Sequence, residues 1–159
     1  MAIFEEFKNI TGLELLSRQT NYLSGYTERK DSLFSRLAVL YFSEQKKFKK
    51  LQQKIKVWLK KEKTETIFAL TGYTYYISED YKKAKSCFLK AISLNPDNLD
   101  NWIDLAFALR HNGEYEISNG ILFNYNYIIH YYKYLKLTDR NYLTLKKLVL
   151  EVVKRTHNA

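Results

Sequence analysis

The chain is short of the residues that break or staple a fold. Its 159 residues include one proline, Pro96, five glycines and one cysteine, Cys87. So few breakers, shared among all the turns, suit long helices better than many short strands. A lone cysteine makes no intramolecular disulfide and no zinc cluster, which fits a reducing compartment. His111, His130 and His157 show no i,i+4 pairing with one another and have no cysteine pair nearby, so neither a metal site nor a Cys–His nucleophile is expected. The glycines, at 12, 25, 72, 113 and 120, are too scattered for a phosphate-cradling loop. Apolar runs such as Leu37–Phe42 fall far short of the ~20 residues that cross a bilayer. The opening MAIFEEFKNITG carries two glutamates and no long apolar core, unlike a secretory signal. The expectation is a soluble, cytoplasmic, non-catalytic protein with no cofactor and no metal. Cys87 reads as a small packing residue.

What the chain does have is apolar and basic. It is 46% hydrophobic and 27% charged, the balance of a folded chain with one sizeable core. The formal net charge of +9 favours anionic partners but says little about the fold.

The apolar residues recur. In residues 64–98 one helical set contains Phe68, Gly72, Tyr75 and Tyr76. The next contains Tyr81, Ala84, Phe88, Ala91 and Leu94, and between them Ser78-Glu79-Asp80 forms a polar turn able to cap the second helix. Asn95-Pro96-Asp97-Asn98 stops that helix, because proline cannot continue it. A step of 34 residues carries Phe68 onto Trp102 or back onto Phe34, Gly72 onto Ala106 or Ala38, and Tyr75 onto Leu109 or Tyr41. The small position lets two helices approach, and the aromatic one turn earlier fills the gap toward the next unit. One helix pair cannot bury its apolar faces alone, so the units must stack.

This register resembles the tetratricopeptide repeat family. Residues 65–98 carry its pattern at Phe68, Gly72, Tyr75, Ala84, Phe88, Ala91 and Pro96. Residues 99–132 carry it through Trp102, Leu105, Ala106 and Leu109, then drift, with Ser118, Leu122, Tyr125 and His130 where Ala, Phe, Ala and Pro are usual. Residues 31–64 match in the first helix only, through Phe34, Leu37, Ala38 and Tyr41. The resemblance implies an all-α fold, a short right-handed solenoid of about three helical hairpins within a single domain. It divides into N-terminal helices over 1–30, a degenerate repeat over 31–64, a clear repeat over 65–98, a repeat with an extended second helix over 99–137, and a C-terminal capping helix over 138–159. The N-terminal segment offers Ile3, Phe7 and Ile10, then Leu13, Leu15, Leu16 and Leu23, and Thr138-Asp139 is placed to cap the last helix.

In that family the first helix of each pair lines a concave groove. The groove positions carried onto this chain include Phe42, Leu70, Tyr73, Tyr76, Ile77, Phe107, Arg110 and His111. A lining this aromatic and poor in charge suits an apolar peptide or helix of another protein. With Ala69, Leu70, Tyr73 and Ile103 at the comparable places, a clamp for a terminal carboxylate is not expected.

Two other stretches stand out. Residues 46–63 hold nine lysines, with Phe48, Leu51, Ile55 and Trp58 on one helical face. A wall helix with wet lysines is the plainer reading, and binding of nucleic acid or an anionic membrane is the alternative. The stretch FNYNYIIHYYKYLK, from 123 to 136, has five tyrosines. On a straight helix Tyr125 and Tyr132 join the inward stripe, whereas Phe123, Tyr127, Tyr131 and Tyr134 point away from it, a surface for a partner or for a homodimer.

Overall fold

The computed structural model describes residues 2–13 and 26–157, so the expected apolar contacts of Leu15, Leu16 and Leu23 lie outside the described residues. Eight α-helices and no strand are found among the described residues. They are α1 (Ala2–Thr11), α2 (Tyr26–Ser43), α3 (Gln45–Lys61), α4 (Glu65–Ile77), α5 (Tyr81–Leu94), α6 (Leu99–His111), α7 (Tyr115–Lys133) and α8 (Tyr142–His157), with a 3₁₀ turn at Leu137–Asp139. From α4 to α8 each helix packs on the next, while α1 lies against α2 and α3. The helices follow one another as the pairs α2–α3, α4–α5 and α6–α7. The boundary expected at residue 30 falls inside α2.

Helix starts follow local chemistry. Thr64, Asp80, Asn98 and Asn141 each accept a hydrogen bond from a backbone N–H two or three residues on. Such caps contribute about 1 kcal/mol each. The cap of the last helix is Asn141 rather than Thr138-Asp139, because those two residues are wound into the 3₁₀ turn. The tight turns after α4 and α6 are equivalent in register. Both use a left-handed residue, Glu79 at φ 65° and Gly113 at φ 84°. Glycine adopts that conformation freely, whereas a glutamate there costs roughly 1–2 kcal/mol.

Polar side chains lock the register. The carboxylate of Glu65, at the start of α4, accepts hydrogen bonds from the side-chain amides of Asn95, Asn98 and Asn101. One acid thereby joins the start of α4 to the end of α5 and the start of α6. The indole N–H of Trp102 donates to the Pro96 carbonyl at 2.8 Å, so the proline that ends one unit is held by the aromatic of the next. Farther along, Glu114 accepts from Tyr142 Oη, from Asn112 and from Lys85 Nζ, tying α5, the α6–α7 turn and α8 together. Arg140, in the α7–α8 connection, donates to the carbonyls of Leu135, Ser93 and Lys133.

The core runs the length of the stack. Trp58, Trp102, Tyr132, Phe7 and Phe88 are its largest fully buried side chains. Gly72 sets the spacing of α4 and α5, since a Cβ there would lie 2.5 Å from Phe88 Cε1. In the next pair Ser118 replaces the usual alanine without loss, because its hydroxyl donates to the Ala106 carbonyl at 2.6 Å.

α7 departs from the straight helix the sequence implies. Asn124 has φ −132° and ψ 24°, a kink between two helical segments. Its side-chain amide donates to the Gly120 carbonyl at 3.1 Å, inserting into the helical ladder. The kink changes the register of the inward stripe. Tyr132 is buried as expected, but Tyr125 is turned to the surface, so its expected place in the core is not found.

Two outcomes follow. Gly72→Ala drives a methyl into the Phe88 ring and lowers stability by about 1–3 kcal/mol, read as a fall in the thermal midpoint. Burial alone would raise the pKa of Glu114, but the bonds from Tyr142, Asn112 and Lys85 outweigh it and hold the carboxyl below its ordinary value. Its folded pKa therefore lies below the unfolded one. The stability it contributes is full at neutral pH and is lost as pH falls through the ordinary carboxylate range toward the folded value. Glu114→Gln should lower the thermal midpoint at pH 7 and flatten its decline over that acid range. An unchanged acid profile would count against this carboxylate as the titrating lock.

Candidate functional site

The first helices of the three pairs, α2, α4 and α6, make one continuous face. The rings show how it is held. Phe34 of α2 meets Tyr73 and Tyr76 of α4 edge-on, with ring centroids at 6.0 and 5.5 Å. Tyr73 Oη donates to Asp104 Oδ2 of α6 at 2.7 Å, a buried charge-assisted bond between neighbouring first helices. Tyr76 meets the His111 imidazole edge-on at 5.3 Å. His111 in turn stacks on Tyr81, at 4.9 Å and an interplanar angle of 17°.

Not every residue expected to line this face does so. Leu70, Tyr73 and Ile77 are buried. The α2 helix packs on α4, with Phe34 edge-on to the Tyr73 ring, and these three buried side chains form the floor beneath the surface rather than its lining. Tyr76 is half-buried, and Phe107, Arg110 and His111 are exposed. Those last three share one side of α6, being three and four residues apart. Phe42, 74% exposed, packs edge-on against Tyr41 and borders an open recess at the α2–α3 turn with Ser43, Glu44 and Lys46. The structure thus joins Tyr76 to His111 by ring contact, and sets Phe42 in a separate cluster with Tyr41 and Phe48.

Tyr81 was not among the expected site residues. It belongs to the second helix of its pair and read as core by periodicity. A signal existed, since it is the first residue after the Ser78-Glu79-Asp80 turn, where a second helix starts beside the ends of the first helices. Burial first, and then the neighbouring Tyr81 hydroxyl and Asp104 carboxylate, push the Tyr76 phenol above its ordinary pKa, so it stays a neutral hydrogen-bonding group.

The other singled-out groups sort readily. Cys87 is partly covered on α5, and burial, with a smaller contribution from Asp80, pushes its thiol up to about 11. At neutral pH it is a thiol rather than a nucleophilic thiolate. No group of three or more His, Cys, Asp or Glu side chains placed to hold a metal is found among the described residues. No described helix is long and apolar enough to cross a membrane. On α3 the apolar set Phe48, Leu51, Ile55 and Trp58 is in the core, with Trp58 Nε1 donating to Glu6 at 2.9 Å. Phe123, Tyr127 and Tyr131 on α7 and Tyr134 at its C-terminal cap are exposed.

Comparison with known proteins agrees with this architecture. One family model, described as tetratricopeptide repeat, matches residues 67–98, which are α4 and α5. A second of the same description matches residues 87–118, in a frame that runs from α5 through α6. No curated protein and no solved structure matches the chain. Repeats of this kind generally mediate contacts between proteins. With these stacked helix pairs and two matches within residues 67–118, that part of the chain, from α4 into the start of α7, carries tetratricopeptide repeats.

Proposed function

We propose that the chain is a non-catalytic adaptor or chaperone-like module whose α2–α4–α6 face holds an apolar or aromatic segment of another protein. The observation that carries the reading is the pairing of accessible rings with a rigid floor. Phe107 is 45% exposed on a helix whose neighbour, Asp104, is buried and bonded to Tyr73. Val39 and Phe42 continue the apolar surface along α2. Arg110 and His111 supply donors at its edge, able to meet backbone carbonyls of a bound segment. Rings already fixed by neighbours lose little freedom on binding, which favours affinity.

Tyr76→Ala with Phe107→Ala should weaken binding of a captured partner peptide by about 10–100-fold, the cost of losing two anchors. Because Tyr76 also packs on Phe34, Tyr81 and His111, Phe107→Ser with Arg110→Ala serves as a second pair that leaves the ring cluster intact. Peptide affinity unchanged in both double variants would remove the reading.

A second reading has its own observation. Lys46, Lys49, Lys50, Lys56, Lys60 and Lys61 point from α3 into solvent with no acid within ion-pair distance among the described residues, whereas Lys47 is paired with Glu44 and Lys54 with Glu6. Lys56 and Lys83 also border a cavity of about 140 Å³ between α3, α4 and α5. Since the apolar side of α3 is in the core, the helix cannot insert into a bilayer interface, and no ring is exposed on it for stacking bases. What remains is contact with phosphates along a single-stranded RNA. Under this reading a fluorescent oligouridine binds at low salt, with a slope in log affinity against log salt of about −3 for four phosphates. Glutamate at 49, 50, 56 and 60 then abolishes binding. Absence of binding at low salt rejects this second reading.

A further inference from the structure

We infer that two copies of this chain associate through α7, in an antiparallel two-fold pair centred near Ile129. The inference is independent of the α2–α4–α6 face. Phe123, Tyr127, Tyr131 and Tyr134 are 83, 59, 43 and 77% exposed; Phe123 precedes the Asn124 kink, and the other three follow it at helical spacings of four and three, ending at the cap of α7. A second helix of an ordinary repeat has no need of such a row, since its core contacts here come from Ile117, Ile121, Ile128 and Tyr132.

Charge identifies the occupant. Residues 117–132 contain no Asp, Glu, Lys or Arg, the longest charge-free run in a chain of net charge +9. Two such chains repel wherever their basic faces meet, so a contact between copies needs a neutral surface. The nearest flanking cation, Lys133, is already paired with Asp97 at 2.9 Å. Conversely, the row presents no cation to an acidic protein or a polyanion. It suits a neutral, half-polar aromatic surface, and it is one itself.

Spacing gives the geometry. The row steps by four, four and three residues, so it reads nearly the same from either end. An antiparallel partner sets Tyr127 against Tyr131 of the second copy, and Phe123 against its Tyr134. This is the self-complementary pattern a two-fold interface requires. His130 meets Tyr131 and Tyr134 edge-on at 5.3 and 5.2 Å, which holds both rings in place before association. At roughly 200 Å² per aromatic side chain, the four exposed rings offer about 500 Å² per copy. The pair then reaches the ~1,000 Å² expected of a specific contact. Tyrosine suits a surface that is wet in the monomer and covered in the dimer, because its hydroxyl is satisfied in both states.

Light scattering and sedimentation across a concentration series of the full chain test this. A monomer–dimer equilibrium is expected, tightening as salt rises because screening relieves the repulsion between basic chains. Tyr127→Ser with Tyr131→Ser should weaken it at least about tenfold, with the helical circular dichroism and thermal midpoint retained. In a Cys87→Ser background, copies bearing Phe123→Cys should crosslink to copies bearing Tyr134→Cys faster than either crosslinks to itself. A monomer at every concentration up to about 1 mM overturns the inference. So does a dimer that loosens with salt or ignores the double substitution. Faster self-crosslinking at each position overturns the antiparallel geometry.

Discussion

From α4 to α8 the stack depends on one steric constraint, that close-packed neighbouring helices meet where a side chain is small or absent. At Gly72 the ring of Phe88 occupies the volume a Cβ would need. At Gly120 the occupant is Val149, with its Cγ1 only 2.5 Å from where a Cβ would stand. The first lets α5 lie against α4, and the second lets α8 lie against α7. Between them Ala106 and Ser118 make the α6–α7 approach, with the serine hydroxyl bonded to the alanine carbonyl. Large side chains can then be fully buried on either side of each close approach, as Trp102 and Tyr132 are, meeting edge-on at 5.1 Å. Without the approach those rings would border voids, and buried voids forfeit both transfer free energy and dispersion contacts.

This constraint explains what was legible in the sequence. Small and aromatic positions repeat at a fixed interval because the packing problem repeats, so the first helices could be read from Phe34, Ala38, Phe68, Gly72, Trp102 and Ala106. Ser118 looked like drift, but it solves the same problem with a hydroxyl. Burial within the first-helix face was less legible. Tyr73 and Tyr76 are both tyrosines on α4, yet one is floor and the other is partly open. The difference lies in Phe34 and Asp104, which reach Tyr73 from two other helices. Periodicity along one helix does not contain that information. Tyr125 failed for a local reason. A side-chain amide at Asn124 competes for a backbone carbonyl, and such competition is invisible to an apolar pattern.

The surfaces of the stack divide by chemistry. The wall formed by α3 is basic, with its apolar residues turned inward and the stems of its lysines able to cover the margins. The face of α2, α4 and α6 mixes rings with a few cations, and beneath it the buried acid Asp104 is bonded to Tyr73. The outer side of α7 is neutral and aromatic. A net charge of +9 is therefore not spread evenly, and partners of different chemistry would meet different sides. The bonds of Glu65 and Glu114 hold the helices from α4 to α8 in fixed relation. Each carboxylate spans three elements, so neither hairpin can slide without breaking several hydrogen bonds at once.

The later part of the neutral side, Tyr131 and Tyr134, comes from the length of α7. It has 19 residues, whereas α5, its counterpart one repeat earlier, has 14. In the 34-residue register α5 ends where Ile128 stands, so Tyr131 and the rest of the last turn run past the usual end of a second helix. No proline stops it, His130 standing at the place of Pro96. Tyr142 then falls 40 residues after Trp102 instead of 34, and the 3₁₀ turn and Arg140 take up the difference. The extension is anchored on one side only. Tyr132 reaches back to Trp102, and the Arg140 guanidinium lies 5.1 Å from its ring, while Tyr127 and Tyr131 on the other side stay exposed among the described residues. An insertion of this kind adds a helical surface to a fold without disturbing its packing. The extra turn places aromatic residues on that surface, and apolar area left in water at the end of a rigid element favours whatever covers it.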